Sequence, residues 1–404
     1  MNVGIIGCGA AGMMAAITAR KNGAKVTILE HKSEPGKKIL STGNGKCNFT
    51  NASMNEKYYF GSGKEHFSRI YDSFNIDKTI EFFDTLGIVA YEKNGYYYPR
   101  SEQASSVVEC FIREINSLGI DVIYDCDIEE IRNNGEIIVN TKNNDFYVFD
   151  KLIICTGSNA APKTGSDGSG YGLAIKLGHS VKKPLPSLCG LKCNNQTFDL
   201  KNLSGVRCKA KVKLETTIGE SIEDTGELQH TDYGLSGIPI FQISGEALRR
   251  LDEGAEVSVI VDYAPEYSKE ELTDTLRKRI KILQDKLIEN FLDGMFNKKL
   301  CEEFIRECFI AKKGRVEAIN NERMISRLVN TIKYQRYYVK GHRGFDNCQV
   351  CTGGIPFSEV KDTLESKIVD DVYFAGEILD IDGQCGGYNL QWAWSSGYVA
   401  GLLQ

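Results

Sequence analysis

The sequence predicts an α/β protein whose two ends fold together into one Rossmann-type domain, interrupted by a β-rich insertion. Three observations favour this fold. The chain begins with a strand, a glycine-rich turn, a helix and a second strand. It ends with an apolar strand, two adjacent glycines and an apolar helix. From about residue 191, short runs of alternating apolar and polar residues indicate half-exposed strands.

Length, composition and charge limit the class of protein. A chain of 404 residues, 42% hydrophobic and 25% charged, is typical of a globular protein of two or three domains. The net charge of −5 argues against a general nucleic-acid or membrane-surface binder. Thirteen scattered cysteines favour a reducing compartment over a disulfide framework. The N-terminus lacks the basic region of a signal peptide, and no stretch is as long as a membrane span, so we expect a cytoplasmic protein with no membrane contact.

The first strand, NVGIIG, leads into the turn GCGAAG. Gly7 allows the sharp change from strand to helix, Gly9 leaves the backbone bare for a diphosphate, and Gly12 lets the helix lie close to the sheet. The second strand, KVTILE, ends in Glu30. N–H groups at the start of the helix would hold phosphates, and the Glu30 carboxylate would bind a ribose diol. This order of elements predicts a site for the ADP half of NAD or FAD.

The elements that follow distinguish between these two cofactors. GKKILSTGNGKCNFTN (36–51) is predicted to be a functional loop, because it is polar and rich in glycine. A helix capped by Ser101 follows, then a strand, a hairpin and the buried strand KLIICTG. This order resembles the FAD domain of the glutathione-reductase type, in which residues 127–128 would meet the adenine and Thr156-Gly157 would pass beside the diphosphate. No second glycine-rich β-α-β motif follows, so a separate NAD(P)-binding domain is not expected.

The end of the chain completes this domain. The strand DDVYFAGEI runs into Gly376-Glu377, which in such domains reaches the ribityl chain and the phosphates. Gly386 and Gly387 then begin the final helix, YNLQWAWSSGYVAGLL. A bare helix N-terminus pointing at the flavin would stabilise the negative charge of reduced flavin, and a side chain at either glycine would hold the ring away. The alternative is that the glycine pair only forms a tight turn.

Four motifs carry a family resemblance: GKKILSTGNGKCNFTN, GELQHTDYGLSGIPIFQISG, CTGGI and DIDGQCGGYNLQWAWSSGYVAG. Over essentially the whole chain they resemble the YhiN-like or BaiN-like bacterial flavoproteins, also described as the aminoacetone-oxidase family. The resemblance implies bound FAD and a discontinuous FAD domain at residues 1–190 and 346–404. It also implies an inserted β-rich domain at 191–264 and 327–345, with a helical subdomain at 265–326. Members are described as reductases of 3-oxo-Δ4 steroid-type substrates and as oxidases of small aminoketones.

The same resemblance implies which residues hold the FAD. They lie in the glycine-rich turn, at strand ends, in the segment 36–51 and at the start of the last helix: Gly7, Gly9, Ala10, Ala11, Gly12, Glu30, His31, Lys38, Ser41, Asn44, Cys47, Asn48, Ile128, Thr156, Gly157, Gly376, Glu377, Gly386, Gly387, Tyr388, Asn389 and Leu390. One segment departs from the family pattern G-x-T-G-D-G-Y. This chain has GSDGSGY at 165–171, so its acid, Asp167, is shifted by two positions.

The insertion is predicted from its own periodicity. The runs KAKVKLETT, ESIEDTGELQHT, IPIFQIS and EVSVIVDY are predicted strands. A helix then begins at Ser268 with a capping box to Glu271, and its apolar spacing continues to Phe291. Its charges indicate a solvated face rather than an RNA groove. KKLCEEFIRECFIAKK (298–313) predicts a second amphipathic helix, and KYQRYYVKGH a strand leading back to the first domain.

Candidates for catalysis are few. His230 and His342 are predicted in loops that could face the flavin, although such histidines are commonly polar surface residues. Tyr388 could donate a proton to the substrate or simply pack against the ring. Cys348 and Cys351 form a C-x-x-C pair that could pass electrons to a disulfide substrate, but two buried structural thiols are the favoured interpretation. The pair lacks the other half of a zinc site, so no metal is expected.

These features predict a bacterial FAD-dependent oxidoreductase that acts on a small molecule. In the leading hypothesis, NAD(P)H binds transiently and reduces the flavin, which delivers a hydride to an activated C=C bond of a 3-oxo-Δ4 steroid or bile-acid-like molecule. The alternative enzyme oxidises a small aminoketone and passes the electrons to O2. A third hypothesis, an RNA-associated flavoprotein, is disfavoured by the acidic net charge, so no nucleic-acid partner is expected.

Overall fold

A computed structural model describes residues 1–219, 221–308 and 313–404 of the chain. Contacts between residues divide the chain into two units, Met1–Pro186 with Phe345–Gln404, and Ser187–Gly344. Both ends of the chain therefore belong to the first unit. The finer division of the insertion into a β-rich domain and a helical subdomain stays a prediction.

The strands and helices are numbered in chain order. The strands are β1 Asn2–Ile6, β2 Lys25–Leu29, β3 Thr50–Asn51, β4 Tyr59–Phe60, β5 Ala90–Lys93, β6 Tyr96–Pro99, β7 Asp121–Ile123, β8 Ile128–Asn133, β9 Ile137–Thr141, β10 Phe146–Phe149, β11 Lys151–Ile154, β12 Lys182–Cys189, β13 Leu191–Asn194, β14 Arg207–Thr216, β15 Ile222–Thr231, β16 Gly234–Gly237, β17 Val257–Asp262, β18 Gln335–His342, β19 Cys348–Gly354, β20 Val372–Phe374 and β21 Asp382–Gly383. The helices are α1 Ala10–Lys21, α2 Lys37–Ser41, α3 Phe67–Ser73, α4 Ile76–Thr85, α5 Ala104–Ser117, α6 Ser169–Lys176, α7 Leu200–Leu203, α8 Ile238–Asp252, α9 Lys269–Leu283, α10 Lys298–Glu307, α11 Glu322–Lys333 and α12 Tyr388–Gly401.

The core of the first unit is a five-stranded parallel sheet in the order β20-β11-β1-β2-β7. Strand β1 lies at its centre and is buried from Val3 to Ile6, as expected for a parallel strand covered on both faces. It pairs with β2 from Asn2–Lys25 to Ile6–Leu29. Strand β20, from the far end of the chain, pairs in parallel with β11. The prediction that both chain ends build one Rossmann-type domain is confirmed.

Helices α1 and α12 pack against each other at unusually close range. A Cβ atom on Gly397 would overlap the Ala11 carbonyl oxygen, and one on Gly401 would lie 2.7 Å from the Ala15 carbonyl oxygen. Two glycines one helical turn apart on α12 thus let its backbone approach that of α1. Gly12 of α1 packs just as closely against the turn before the helix, because a Cβ on Gly12 would overlap the Gly7 carbonyl oxygen.

Three polar side chains of α12 fix it to the rest of the first unit. Trp394 Nε1 donates a hydrogen bond to the Phe49 carbonyl at 3.0 Å, and Trp392 Nε1 donates to the Gly376 carbonyl at 3.0 Å. The fully buried Gln391 accepts from the Thr50 hydroxyl at 2.6 Å. A buried polar group is tolerated when it is hydrogen-bonded, so these bonds also specify the register of the helix. They place its N-terminus beside the segment 49–50.

The second unit is built around a closed antiparallel barrel in the order β13-β16-β15-β14-β17-β18, closed by pairing of β13 with β18. The prediction of a strand for IPIFQIS is wrong, because these residues begin helix α8. Pro239 lies in the first turn, where proline is favoured, and Ile240, Ile243 and Ala247 are buried at helical spacing. A short apolar run does not by itself distinguish a strand from a buried helix.

Several predicted helix boundaries need correction. Ser101 does not cap α5, which begins three residues later with Gln103 as its N-cap. The capping box of Ser268 and Glu271 is confirmed, but α9 ends at Leu283, short of Phe291. The segment 36–51 is not a plain loop, since it contains α2. Helix α10 ends at Glu307, and residues 309–312 of the predicted helix 298–313 lie outside the described residues.

Helices α8 and α9 span 15 residues each. In the part of the chain that the structure describes, no helix is long and apolar enough to cross a membrane.

The close contact between α1 and α12 predicts that an alanine in it destabilises the protein, whereas an alanine at an open helix position stabilises it. Gly397→Ala should lower the free energy of unfolding by about 1–3 kcal/mol, because the new methyl group overlaps the Ala11 carbonyl. Gly172→Ala, at an exposed position of α6 with no atom within 4 Å of a Cβ, should raise it by about 0.5–1 kcal/mol. Urea unfolding of both variants measures the difference. Equal stabilisation by both substitutions would show that the two helices do not pack this closely.

Candidate cofactor-binding site

The glycine-rich turn leaves open space in front of helix α1. Gly7 has a φ of +101°, and a Cβ there would lie 2.7 Å from the Cys155 carbonyl oxygen, so the chain itself requires glycine at this position. Gly9 differs, because a Cβ there would meet no atom within 4 Å. Gly9 is the N-cap of α1, and no side chain caps the helix. Uncapped N–H groups facing open space form an anion-binding site.

Glu30 is fixed at the end of β2 next to this turn. One carboxylate oxygen accepts a hydrogen bond from the Cys8 N–H at 2.6 Å, and the other accepts from the Lys32 N–H at 2.8 Å. Two backbone donors hold the buried carboxylate in one orientation at the edge of the turn. Its predicted contact with a ribose stays a prediction, and carboxylate oxygens retain lone pairs for it.

The segment that departs from the family pattern lies beside His31. A Cβ on Gly165 would be 3.8 Å from His31 Nε2. Burial raises the pKa of Asp167, but hydrogen bonds from Ser169 and the proximity of His31 lower it below its ordinary value. The shifted acid therefore remains ionised at neutral pH, next to the residues predicted to meet the adenosine.

Glu377 joins four segments of the first unit. It accepts hydrogen bonds from Lys38 Nζ at 2.6 Å, from the Ser158 hydroxyl at 2.7 Å and from the Cys351 N–H at 2.8 Å. The preceding residue, Gly376, touches α1, since a Cβ there would lie 2.9 Å from that of Ala11. The predicted residues Lys38 and Glu377 are thus brought together beside the start of α1, and their ion pair leaves both side chains part-exposed.

The paired glycines before α12 are required by the backbone. Gly386 and Gly387 have φ values of +118° and +92°. A Cβ on Gly386 would lie 2.6 Å from the Tyr96 ring, and one on Gly387 would lie 2.6 Å from the Thr50 carbonyl oxygen. The tight-turn alternative therefore accounts for both glycines, whatever they bind. Helix α12 still begins without a side-chain cap, so its N–H groups are available to a flavin.

Several predicted site residues have roles within the protein. The Asn389 amide accepts from the Gly383 N–H and donates to its carbonyl, both at 2.8 Å, so its side chain holds the turn before α12. The Tyr388 ring packs against Tyr58 and Tyr59, with centroids 5.2 and 5.9 Å away, as in the packing alternative. Ser41 is exposed and donates to the Lys38 carbonyl.

The remaining predicted residues lie at turns or in pairing positions. Asn44 and Cys47 both have a φ of +57°, and burial raises the pKa of the Cys47 thiol to about 12. The Asn48 amide, oriented as a donor, reaches the carbonyls of Thr50 and Tyr97 at 2.9 and 3.0 Å. Ile128 opens β8 and Leu390 is half-buried in α12.

The residues after β11 form a tightly packed turn. Gly157 has a φ of +73°, and a Cβ there would lie 2.8 Å from the Ser166 hydroxyl. The Thr156 hydroxyl is buried and has no hydrogen-bond partner among the described residues. The open space at Gly9 is the observation in this unit that fits a bound diphosphate, because the Thr156 hydroxyl is packed against α6. Sequence reasoning missed Ser158 and Ser166; the one signal was their position just after a strand that ends in Thr-Gly.

Neither candidate histidine lies in a loop, so both predicted positions are wrong. His230 is in β15, fully buried, with Nε2 2.8 Å from the Tyr263 hydroxyl. Burial lowers its pKa to about 4, which leaves it neutral at physiological pH. His342 is the last residue of β18, and its Nδ1 accepts from the Gly344 N–H at 2.9 Å. Both histidines belong to the second unit, whereas the predicted cofactor residues belong to the first unit.

Cys348 and Cys351 are free, buried thiols at β19. The Cys348 thiol donates to the Phe345 carbonyl at 3.3 Å. A hydrogen bond with Cys348, then burial, raises the pKa of Cys351 far above its ordinary value, so it remains protonated. A protonated, buried thiol is a poor nucleophile, which favours the structural interpretation. Among the described residues, no group of His, Cys, Asp and Glu side chains could hold a metal ion.

Comparison with known proteins gives one family and several relatives. The model of the family described as "HI0933-like protein Rossmann domain" matches residues 1–403. A 3-dehydro-bile acid delta(4,6)-reductase of Clostridium scindens is 39% identical, covering 99% of this chain and 98% of the relative. A ribosomal RNA dihydrouridine synthase of Haemophilus influenzae is 28% identical over 98% of this chain and 97% of its own length. One of Escherichia coli is 26% identical over 98% and 96%.

The open space at Gly9 allows a test of cofactor binding that leaves the fold intact. Gly9→Val should weaken FAD binding at least about tenfold, because the side chain fills the space in front of the helix N-terminus. The backbone at Gly9 is extended, with φ −88° and ψ −168°, so valine fits without strain. Titration of apoprotein with FAD, followed by flavin fluorescence, measures the affinity. Gly172→Val is the matched control, and unchanged affinity of the Gly9 variant would exclude a diphosphate at this turn.

The buried His230 predicts a pH dependence of stability. The unfolded chain binds the histidine proton below about pH 6.5, whereas the folded chain does so only near pH 4, because burial lowers the pKa to about 4. Stability is therefore lost as the pH falls from 6.5 to 4, by about 3 kcal/mol. His230→Gln should remove this part of the pH dependence of the free energy of unfolding, measured by urea unfolding at a series of pH values. If the free energy of unfolding depended on pH in the same way in both proteins, His230 would not be buried in its neutral form.

Proposed function

The chain belongs to the HI0933-like family of Rossmann-domain proteins and is an FAD-dependent oxidoreductase, and we propose that it reduces a C=C bond conjugated to a carbonyl in a steroid-like or bile-acid-like molecule. One observation carries this proposal. The relative named as a 3-dehydro-bile acid delta(4,6)-reductase aligns at 39% identity over nearly the whole of both chains. The start of α1 agrees with it, since this helix has no side-chain cap and the space at Gly9 is open.

The names of the other relatives support the same reaction class on a different molecule. A 3-oxo steroid with a double bond at C4 is an enone, and the C5=C6 bond of uridine is likewise conjugated to a carbonyl. In both, a hydride adds to the carbon distant from the carbonyl and a proton adds to the carbon beside it. A chemistry common to relatives at 39% and 28% identity is therefore the most economical proposal for this chain.

The chain's own residues would bind and orient the cofactor in this reaction. Bound FAD supplies the hydride when it is reduced. The N–H groups at the start of α1 would hold its diphosphate, and the part-exposed pair of Lys38 and Glu377 would meet its ribityl chain. The N-terminus of α12 would place positive potential at the ring, which stabilises negative charge on the reduced form. Burial raises the pKa of Tyr388, so its phenol remains protonated and able to donate a proton.

Ribosomal RNA is the second candidate substrate, favoured by the names of the relatives at 28% and 26% identity. Charge pairing in the barrel weighs against it. Arg207 of β14 pairs with Glu227 of β15 at 3.1 Å, and Lys211 pairs with Glu223 at 2.7 Å. Cations neutralised across strands do not form the basic surface that phosphate contacts require. None of these three relatives is named as an aminoketone oxidase, which leaves that alternative without support from them.

NADH or NADPH is the proposed reductant, and the cytoplasm the proposed location. The described residues contain one five-stranded parallel sheet, which belongs to the FAD domain. A nicotinamide cofactor would therefore bind transiently, without a Rossmann domain of its own.

Anaerobic rapid mixing tests the proposed substrate. Enzyme with photoreduced flavin should be reoxidised by a 3-oxo-Δ4,6 bile acid within seconds, because the conjugated bond accepts the hydride. The matched control is the same molecule with both double bonds saturated, which should leave the flavin reduced. Aminoacetone, mixed with oxidised enzyme, tests the oxidase alternative. Reoxidation of the flavin by a ribosomal RNA transcript and not by the bile acid would show that the substrate is RNA and not the small molecule.

A further inference from the structure

Four tyrosine rings adjoin the start of helix α12. The Tyr96 ring packs on Gly386 in the turn before the helix, since a Cβ there would lie 2.6 Å from it. The ring of Tyr388, the first residue of α12, lies 5.2 Å from the Tyr58 ring and 5.9 Å from the Tyr59 ring, measured between centroids. Tyr59 is fully buried, and its hydroxyl donates to the Tyr388 carbonyl at 2.8 Å. Tyr59 therefore belongs to the core and fixes the helix start.

The rings of Tyr58 and Tyr96 differ from Tyr59, because solvent reaches them. Tyr96 is 36% exposed, and Tyr58 is half-buried. Residues 384–387 of the turn are also part-exposed. Aromatic side chains gathered at an accessible surface are typical of a binding site, because covering them with a ligand removes a large apolar area from water. The two rings are therefore available to a molecule that lies beside the start of α12.

Strand pairing holds Tyr96 at this position. In the sheet β3-β6-β5, Tyr96 of β6 lies opposite Asn51 of β3. Asn51 is buried, and its Nδ2 donates to the Gly386 carbonyl at 2.9 Å. Its Oδ1 accepts from the Ser53 N–H at 2.9 Å. The sheet is thus bonded to the turn, so a rigid element and not a loop presents the Tyr96 ring.

We call Tyr58, Tyr96 and Tyr388 the tyrosine surface, and its chemistry suits a flat, mostly apolar molecule. Each phenol offers an apolar face and one hydroxyl. A fused four-ring nucleus presents an extended flat face to such rings. Uracil presents a single ring, and its attached phosphates require cations as well. The tyrosine surface therefore favours the steroid-like substrate over RNA.

We propose that Tyr58 and Tyr96 bind the apolar face of a fused-ring substrate beside the start of α12, where the flavin ring is predicted. This inference rests on the proposed function and names the side chains that would hold its substrate. Tyr388 is a positioning residue in it, because its buried ring packs against that of Tyr58. The tyrosines hold the substrate, and the reduced flavin supplies the hydride.

Alanine substitutions test the two rings separately. In Tyr58→Ala and in Tyr96→Ala, the concentration of 3-oxo-Δ4,6 bile acid that gives half-maximal flavin reoxidation should rise about five- to twentyfold, because one ring contact is lost. The limiting rate should change little, since the contact is the same before and during hydride transfer. Anaerobic rapid mixing of photoreduced enzyme with a series of bile-acid concentrations measures both values. Tyr96→Phe keeps the ring and should restore the wild-type concentration.

Tyr398→Ala serves as the comparison variant on the same helix. The Tyr398 ring stacks on Phe74 with centroids 4.8 Å apart. Between residues 388 and 398 the helix rises by about 15 Å, which places this ring away from the turn. The substitution removes one aromatic ring and should leave the half-saturating bile-acid concentration unchanged.

Each other outcome contradicts the inference in its own way. If the bile acid reoxidises the wild-type flavin and both alanine variants behave like wild type, the two rings do not hold the substrate. Loss of bound FAD from the variants would show that the rings hold the cofactor instead. If Tyr96→Phe is as impaired as Tyr96→Ala, the hydroxyl and not the ring face makes the contact. Slower reoxidation by a ribosomal RNA transcript alone would assign the surface to a nucleobase. Failure of the bile acid to reoxidise the wild-type flavin would instead overturn the proposed function itself.

Discussion

The close packing of the first helix against the last is the contact on which the cofactor site depends. Glycines at 397 and 401 remove the side chains that would separate the two backbones. With the helices in contact, Gly376 touches Ala11 on one side and accepts the Trp392 hydrogen bond on the other. The uncapped starts of both helices are therefore held in the same unit by backbone geometry. The two helix N-termini predicted to face the cofactor belong to the two helices that this contact joins.

Much of the first unit could be predicted because its signals are local. The turn from Gly7 to Gly12 is marked by its own glycines, since Gly7 has a positive φ and Gly12 packs against the Gly7 carbonyl, and Glu30 directly follows β2. The capping box at Ser268 is also a local signal, and it is confirmed to the residue. The pairing of β20 with β11 could not be predicted, since no local pattern at 372–374 specifies a partner strand.

The failed predictions concern features that depend on distant neighbours. The run IPIFQIS reads equally well as a strand or a buried helix, and the proline at 239 decides it only in context. His230 looks like a loop residue until β15 places it inside the barrel against Tyr263. The glycine pair at 386–387 is crowded by Tyr96 and Thr50, and its contact with the flavin ring stays a prediction. None of these neighbours is close in sequence.

The strand order has a consequence for folding during synthesis. Strand β20 completes the parallel sheet and α12 packs against α1, yet both are among the last residues to leave the ribosome. The barrel closes on itself within residues 187–344, so it can fold while the sheet still lacks its edge strand. The nascent N-terminal third must therefore wait, with apolar surface uncovered, for a segment translated many seconds later. Truncation of even the last helix would leave α1 and the glycine-rich turn before it without the helix that packs against α1, although every residue of that turn had been made.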